Sequence, residues 1–476
     1  MVVFTINLMV LQGGLKLSHI KKFGIFMRPS RITNFLDLLC CRYGLVFFNG
    51  YTVIDLRDIL MMMSGASFSW SSPILPKLLN DTDTPFGRNI STEEGSWISS
   101  LVPLGCTFGP FIFAYMADKI GRKLTLLSLG IPFLVSYIIL AFATTIELYY
   151  LARFLIGFAA GGTFMIMPNY SGEIADKSIR GALGSTLSIA VCIGLIISYA
   201  LGPNVPSNIS GPIRCYVGEE CPHYYLSKGK RDVAKTELQR IRGGDRNGET
   251  EKEFLEIEAE LSEEYEISIS KTIMSKGLRK AFAISISLLI FQQFTGINFV
   301  YYYTQIIFQE TGAALSAEAC SIIIGVVQLL SSFITLFIID RLASAVGMVL
   351  SEVLLATYIC LKNLDVDLSS VSFLPILTLS AFIVTYNSGF GPLPWIMLGE
   401  LFPTPVKVLV SSVVSCLTWF LSFLFTKYFD VFLQFGLAQT FFLFSGCCVL
   451  ALFFSIFCVI ETKGKSLKEI QDILQS

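Results

Sequence analysis

Residues 291–303 read FQQFTGINFVYYY, which puts the amides Gln292, Gln293 and Asn298 and three tyrosines into one of the most apolar parts of the chain. Amides in hydrocarbon are costly unless something hydrogen-bonds to them. Each amide both donates and accepts, as a sugar hydroxyl does, so a polyhydroxylated ligand suits them. The plainer alternative is amides that tie neighbouring helices together. Gln293 and Asn298 are five residues apart, which on an ideal helix separates them by about 140° around the axis. They share one cavity only if the helix breaks, and Gly296 stands between them; a discontinuous helix at mid-membrane is how many transporters build a site.

Little else in the chain offers chemistry. His19 and His223 are its two histidines, too few for a His-based metal site or triad. The 12 cysteines are scattered, largely through apolar segments (Cys106, Cys192, Cys416, Cys447, Cys448), and read as small buried hydrophobes. Gly464-Lys465-Ser466 has the ending of a nucleotide-binding loop, but Val459 stands where that loop needs its first glycine. No enzyme and no cofactor is expected.

The elements that must position the amides are membrane helices. Of 476 residues, 53% are hydrophobic and 15% charged, against about 25% charged in soluble domains. Apolar runs near the roughly 20 residues a bilayer requires occur at 59–79, 96–116, 124–145, 148–170 and 182–201, then at 281–308, 318–339, 345–361, 371–398, 408–426 and 437–460. The first is weak, with SGASFSWSSP at its middle; the run at 345–361 is short and contains Glu352. Net charge is −1, and no basic stripe lies outside the membrane-flanking loops, so nucleic acid is excluded as a partner. The start, MVVFTINLMVLQGG, lacks the basic n-region and cleavage site of a signal peptide.

Positive charge sets the orientation. Lys119, Arg122 and Lys123 follow the second run, Lys177 and Arg180 the fourth, twelve Lys or Arg fall between Lys228 and Lys280, and Lys463, Lys465 and Lys468 lie in the tail. Loop 80–95 has only Arg88 and carries the sequons Asn80-Asp81-Thr82 and Asn89-Ile90-Ser91, as an outer, glycosylated loop could. The basic interval and the tail are therefore expected in the cytoplasm. That creates a conflict: the fifth run must end outside near Gly202, yet the chain from there to Lys228 has no apolar run with which to return.

The two halves echo each other. Glu173 precedes Arg180, and Glu400 precedes Lys407, by the same seven residues at cytoplasmic helix ends; Asp118 with Arg122 after the second run is matched by Asp340 with Arg341. Acids facing bases across short turns can latch helices together. At this point the chain resembles the sugar porters of the major facilitator superfamily, from about Leu60 to the C terminus. The resemblance rests on ADKIGRK (117–123), RFLIGFAAGG (153–162), PNYSGEIADKSIRGALG (168–184), ECPHYYL (220–226), QQFTGIN (292–298), GFGPLPW (389–395) and ETKGKSLKEI (461–470). Within that family it is most similar to the insect facilitated trehalose transporters.

The resemblance implies an all-α integral membrane protein of the major facilitator fold, two pseudo-symmetric bundles of six helices around a central cavity. About eleven of its twelve helices are readable. The expected organisation is a divergent segment 1–58, an N-terminal bundle 59–202, a linker and cytoplasmic loop 203–280, a C-terminal bundle 281–460 and a tail 461–476. The resemblance makes Gln292, Gln293, Asn298, Gln328 and Asn387 sugar contacts, with Trp395 and Trp419 stacking on the sugar. It makes Tyr302 and Tyr303 an outer gate, and Asp118, Arg122, Arg153, Glu173, Arg180, Asp340, Glu400 and Lys407 gating or salt-bridge residues. Trehalose or a hexose is the expected substrate, at the plasma membrane, with both termini cytoplasmic.

Departures from the family accompany this. Ser188 and Thr418 are shorter than the family's residues at those positions, which would leave a roomier cavity. The first span lacks the aspartate that carries the proton in proton-coupled porters, which favours passive transport; Asp58 or Glu352 leaves a symporter open. The family's sixth helix is reduced to SNISGPIRCYVGE, Ala343-Ser344-Ala345 replaces a basic turn, and residues before the next helix look lost. These read as losses at exon level. They give two competing expectations: a facilitative sugar transporter, or a transport-inactive form with a binding or regulatory role, retained in the endoplasmic reticulum.

Overall fold

The computed structural model describes residues 56–80, 84–174, 180–202, 225–226, 228–242, 251–255, 257–258, 276–335, 341–402, 404–460 and 473–474, all within one unit, Asp55–Ser476. The described residues are helical apart from turns and connections. In chain order the first half supplies α1 (Leu56–Ser69), α2 (Ser71–Asn80), α3 (Thr92–Ile120), α4 (Arg122–Phe142), α5 (Ile146–Ile174) and α6 (Arg180–Leu201). A polar helix, α7 (Arg231–Arg242), follows. The second half supplies α8 (Lys276–Phe294), α9 (Ile297–Thr311), α10 (Ala317–Thr335), α11 (Arg341–Asn363), α12 (Leu374–Asn387), α13 (Leu393–Leu401), α14 (Thr404–Lys427), α15 (Phe429–Phe435) and α16 (Leu437–Phe457).

Eight stretches of described helix are long and apolar enough to cross a membrane, and Thr186–Leu201 and Ala317–Phe333 are shorter apolar helices. With the α1–α2 pair, they account for all eleven apolar runs. Three runs differ from the expectation. The weak first run is two helices that meet at Trp70, where a serine-rich sequence interrupts the apolar stretch. The run at 371–398 divides into α12 and α13 at the Gly- and Pro-bearing turn 388–392. The run at 345–361 is not short as a helix, because Arg341-Leu342-Ala343-Ser344 join it as the first turn of 23-residue α11. The interval 203–224, where the return crossing is wanting, lies outside the described residues, as do 1–55 and 461–472.

Helix packing in the first half depends on missing side chains. α1 and α6 meet at Gly65 and Gly194, where an added Cβ would come within 2.1 Å of the Val191 carbonyl oxygen and 2.0 Å of that of Met62. α3 and α5 meet likewise at Gly105, Gly109, Gly157 and Gly161. Small residues let backbones approach in lipid, where packing rather than the hydrophobic effect holds helices together. α3 begins with a capping box: Ser91 Oγ accepts from the Glu94 N–H at 3.2 Å and Glu94 Oε2 accepts from the Ser91 N–H at 2.8 Å. In the loop between the halves, Ala234 and Leu238 of α7 pack on Phe254 and Ile257. Arg231 pairs with Glu258 at 2.7 Å, and that carboxylate raises the guanidinium's pKa.

The halves touch through α3 against α14, α6 against α10, and α2 against α9. Between the start of α3 and the end of α14, Lys427 Nζ donates to Ser96 Oγ at 2.9 Å and sits 4.2 Å from the centre of the Trp97 ring.

Candidate functional site

The stretch that opened the sequence is broken where the amides required it. Gly296 adopts φ 75°, ψ 5°, a left-handed conformation open to glycine, and separates α8 from α9. An added Cβ there would also meet the Phe444 ring at 2.4 Å. The break turns Gln293 and Asn298 toward each other: Asn298 Nδ2 donates to Gln293 Oε1 at 2.7 Å. Ser422 Oγ of α14 donates to Asn298 Oδ1 at 2.9 Å, so a buried polar chain runs from α8 through α9 to α14.

Gln292 is used differently. Its Nε2 donates to the carbonyls of Phe390 and Gly391, at 3.1 and 2.8 Å, in the turn between α12 and α13. Those carbonyls lie outside regular helix, and the amide supplies them a donor. Gln292 is thus a strut between two broken helices, and its amide nitrogen is committed to them. Gln328 Nε2 donates to the Tyr301 hydroxyl at 3.1 Å, while its buried Oε1 has no partner. Asn387 Nδ2 donates to Ser331 Oγ at 2.6 Å. Of the shorter replacements, Ser188 is exposed, and Thr418 spends its hydroxyl on the Val414 carbonyl of its own helix at 2.8 Å.

The two tryptophans part company. Trp395 in α13 is 37% exposed. Trp419 in α14 has its ring occupied from the other half: Phe68 of α1 stacks on it at 5.4 Å between centroids, and Phe164 of α5 lies at 5.7 Å. Tyr302 is buried edge-on to the same Phe68, with its hydroxyl unpartnered. Tyr303 is the centre of a second distortion, with φ −133° and ψ 18° inside α9; its hydroxyl donates to the Thr426 carbonyl at 2.8 Å and its ring stacks on Phe429.

Arg153, expected among the gating or salt-bridge residues, is fully buried, and among the described residues no carboxylate pairs with it. Its Nε donates to the Ile98 carbonyl at 3.0 Å, its Nη1 donates to the Ser67 carbonyl at 2.9 Å, and the guanidinium lies 4.8 Å from the centre of the Trp70 ring. A guanidinium can hold two carbonyls at fixed angles and lie flat on an aromatic face, and here it braces the interruption between α1 and α2. Asp118 and Arg122 do pair, at 3.7 Å, at the C-terminal end of α3. Asp340 and the side chains of Glu173, Arg180, Glu400 and Lys407 fall outside the described residues, as does that of Asn80; Asn89 is exposed in its loop. Glu352 is buried with Cys448 of α16 among its surroundings, and neither carboxyl oxygen makes a hydrogen bond.

The sequence reading missed Phe68, Phe164, Ser422, Ser71, Ser72 and Tyr199. The available signal was the polar middle of the first run, taken as a weakness in a span.

Comparison with known proteins agrees with this architecture. The family described as "Sugar (and other) transporter" matches residues 62–474. The chain is 30% identical over 437 residues to "Facilitated trehalose transporter Tret1-2 homolog" of Drosophila simulans, covering 87% of this chain and 88% of that protein. It is 32% identical over 438 residues to "Facilitated trehalose transporter Tret1" of Polypedilum vanderplanki, covering 86% and 85%. Among solved structures, the inward open xylose transporter XylE from E. coli superposes with a TM-score of 0.67 at 20% identity, covering 87% of this chain and 98% of that one. At that identity the superposition speaks for the fold. With its helices, its broken α8–α9 pair and this match along almost its whole length, the chain belongs to the sugar transporter family of the major facilitator superfamily.

Proposed function

We propose that the chain carries a sugar, trehalose first among candidates and a hexose second, passively across the plasma membrane by alternating access between its halves. The observation that carries this reading is the Gln293–Asn298–Ser422 chain at the Gly296 break. Groups that bond one another in the empty site can exchange those bonds for sugar hydroxyls at little net cost, and they discriminate sharply against ligands lacking hydroxyls. The trehalose relatives supply the substrate candidate. Trp419 would offer its face to the sugar when Phe68 withdraws with the first half.

Passive transport is supported by Arg153. The buried cation is held at Nε and Nη1 by carbonyls and lies on a ring, and among the described residues no carboxylate that could take up and release a proton pairs with it. Gln293→Ala should weaken uptake of labelled trehalose by roughly 1.5–3 kcal/mol, about ten- to a hundredfold. It should also change the trehalose-to-glucose ratio, whereas Gln292→Ala should lower uptake of both sugars equally. Unchanged uptake in Gln293→Ala places the site elsewhere. Initial uptake should be indifferent to a protonophore; protonophore-sensitive accumulation against a gradient would instead make the protein a symporter.

A further inference from the structure

The distortion at Tyr303 is stitched to the other half of the molecule. In an α-helix, the i→i+4 bonds that span residue 303 start from the carbonyls of residues 300, 301 and 302. In α9 each of these three carbonyls accepts from a side-chain hydroxyl. Thr304 Oγ1 donates to Val300, Tyr199 OH of α6 donates to Tyr301 at 3.3 Å, and Ser71 Oγ of α2 donates to Tyr302 at 3.2 Å. The Gln305 N–H, on the far side of the distortion, donates to Ser72 Oγ of α2 at 3.1 Å. Tyr199 OH also lies 3.5 Å from Thr304 Oγ1. Ser71, Ser72 and Tyr199 are all buried.

We infer that Ser71, Ser72 and Tyr199 form a latch that selects the bent form of α9 and so holds the outer side of the sugar pathway closed. A helix kink persists where side chains insert into its hydrogen-bond ladder. Here three of the inserted hydroxyls belong to the first half, so the bend and the contact between halves form together. When the halves part on the outer side, the same backbone groups can re-pair within a straightened α9. The main-chain groups released by the first half's hydroxyls then have partners within the helix, which makes α9 a two-state element. The inference rests on the transporter reading for its purpose but not for its test.

Cys192 of α6 reports the state. It lies seven residues before Tyr199 on the same helix, about 10 Å further inward, buried with its Sγ 3.3 Å from Ser332 of α10 across the halves. An impermeant maleimide is applied from outside to cells expressing the full chain. Alkylation at Cys192 is read by peptide mass spectrometry and normalised to surface protein. Tyr199→Phe removes one oxygen, keeps the ring and preserves folding; it should raise the Cys192 labelling rate about fivefold, and addition of Ser71→Ala and Ser72→Ala should raise it by tens of fold. Ser64→Ala, which removes a hydroxyl bonded only to Leu60 of its own helix, should leave the rate unchanged. In sugar flux, Tyr199→Phe should lower the external KM relative to the internal one. Labelling in Tyr199→Phe equal to the parent overturns the latch. Raised labelling in a chain that moves no sugar upholds the latch and removes the transporter reading.

Discussion

In the first half of the bundle, α3 and α5 meet backbone to backbone, and a Cβ at Gly157 would sit 2.0 Å from the Val102 carbonyl oxygen. In the second half, the close approaches at Gly347 and Gly296 are to side chains instead: an added Cβ would meet Thr385 Cγ2 at 2.3 Å and the Phe444 ring at 2.4 Å. The breaks are distributed in the opposite sense. Among the described residues the first half has one, at Trp70, braced by a fully buried arginine. The second has the Gly296 break, the distortion at Tyr303 and the turn at 388–392, each bridged by polar side chains. Interlocked backbones have little freedom to slide, whereas side-chain bonds can be exchanged. The first half is therefore built as a rigid body, and the second holds the adjustable parts and the amides.

The largest effect is expected at the interval where the halves join. By the distribution of positive charge the first half should end outside and the basic loop begin inside, and the sequence between them has no apolar stretch. Forcing Arg214, Glu219 or Glu220 through the bilayer costs roughly 2.5–3.5 kcal/mol each. Inserting a crossing of about 20 apolar residues between 203 and 224 should raise surface delivery and sugar flux several-fold; equal flux from both forms would show that the halves do not need it.

Next in size, Gly157→Ala should destabilise the protein in detergent by up to about 3 kcal/mol through overpacking against backbone, while Gly347→Ala, which meets only the Thr385 side chain, should cost about 1 kcal/mol. Comparable losses at the two positions would erase the distinction between backbone and side-chain contact. Arg153→Lys keeps the charge but cannot serve both the Ile98 and Ser67 carbonyls, so flux should fall about tenfold. Ser422→Ala removes one bond from the amide chain and should raise KM about fivefold. The smallest effect is expected at Glu352, which belongs to the α11–α16 contact. Glu352→Gln should leave uptake and its indifference to a protonophore unaltered; a protonophore-sensitive parent and an insensitive variant would make Glu352 the proton carrier.

Much of this was legible in the sequence, for identifiable reasons. Hydrocarbon thickness imposes a length on every span, so each of the eleven runs fell on helix, three of them divided by a break, and α11 gained its missing turn from residues read as a damaged loop. The Gly296 break was legible because two amides on opposite faces of one helix make sense only if the helix stops between them. The Tyr303 distortion was not, since its causes are hydroxyls more than a hundred residues away in α2 and α6. The partners of Arg153 were not legible, because sequence shows charges and not carbonyls, and the described partners are main-chain oxygens. The repeated acid and base pairs fall mostly outside the described residues, and their latching role stands as a proposal beside the Asp118–Arg122 pair. Glycosylation of Asn89, exposed in its loop, is likewise proposed.

Phe68, Phe164, Trp419 and Tyr302 come from both halves and close ring against ring between them. Such a layer offers water almost no hydrogen-bonding sites, so a continuous file of solvent does not form through it. A carrier that must admit a bulky polar solute faces a danger that a narrow pore does not: each opening is wide enough to short-circuit the membrane. Aromatic rings that meet on the outer side before the inner side parts would keep the electrical resistance of the bilayer intact through every cycle. Substituting Phe68 by a small residue should then show itself first as a leak current, ahead of any change in the sugar carried.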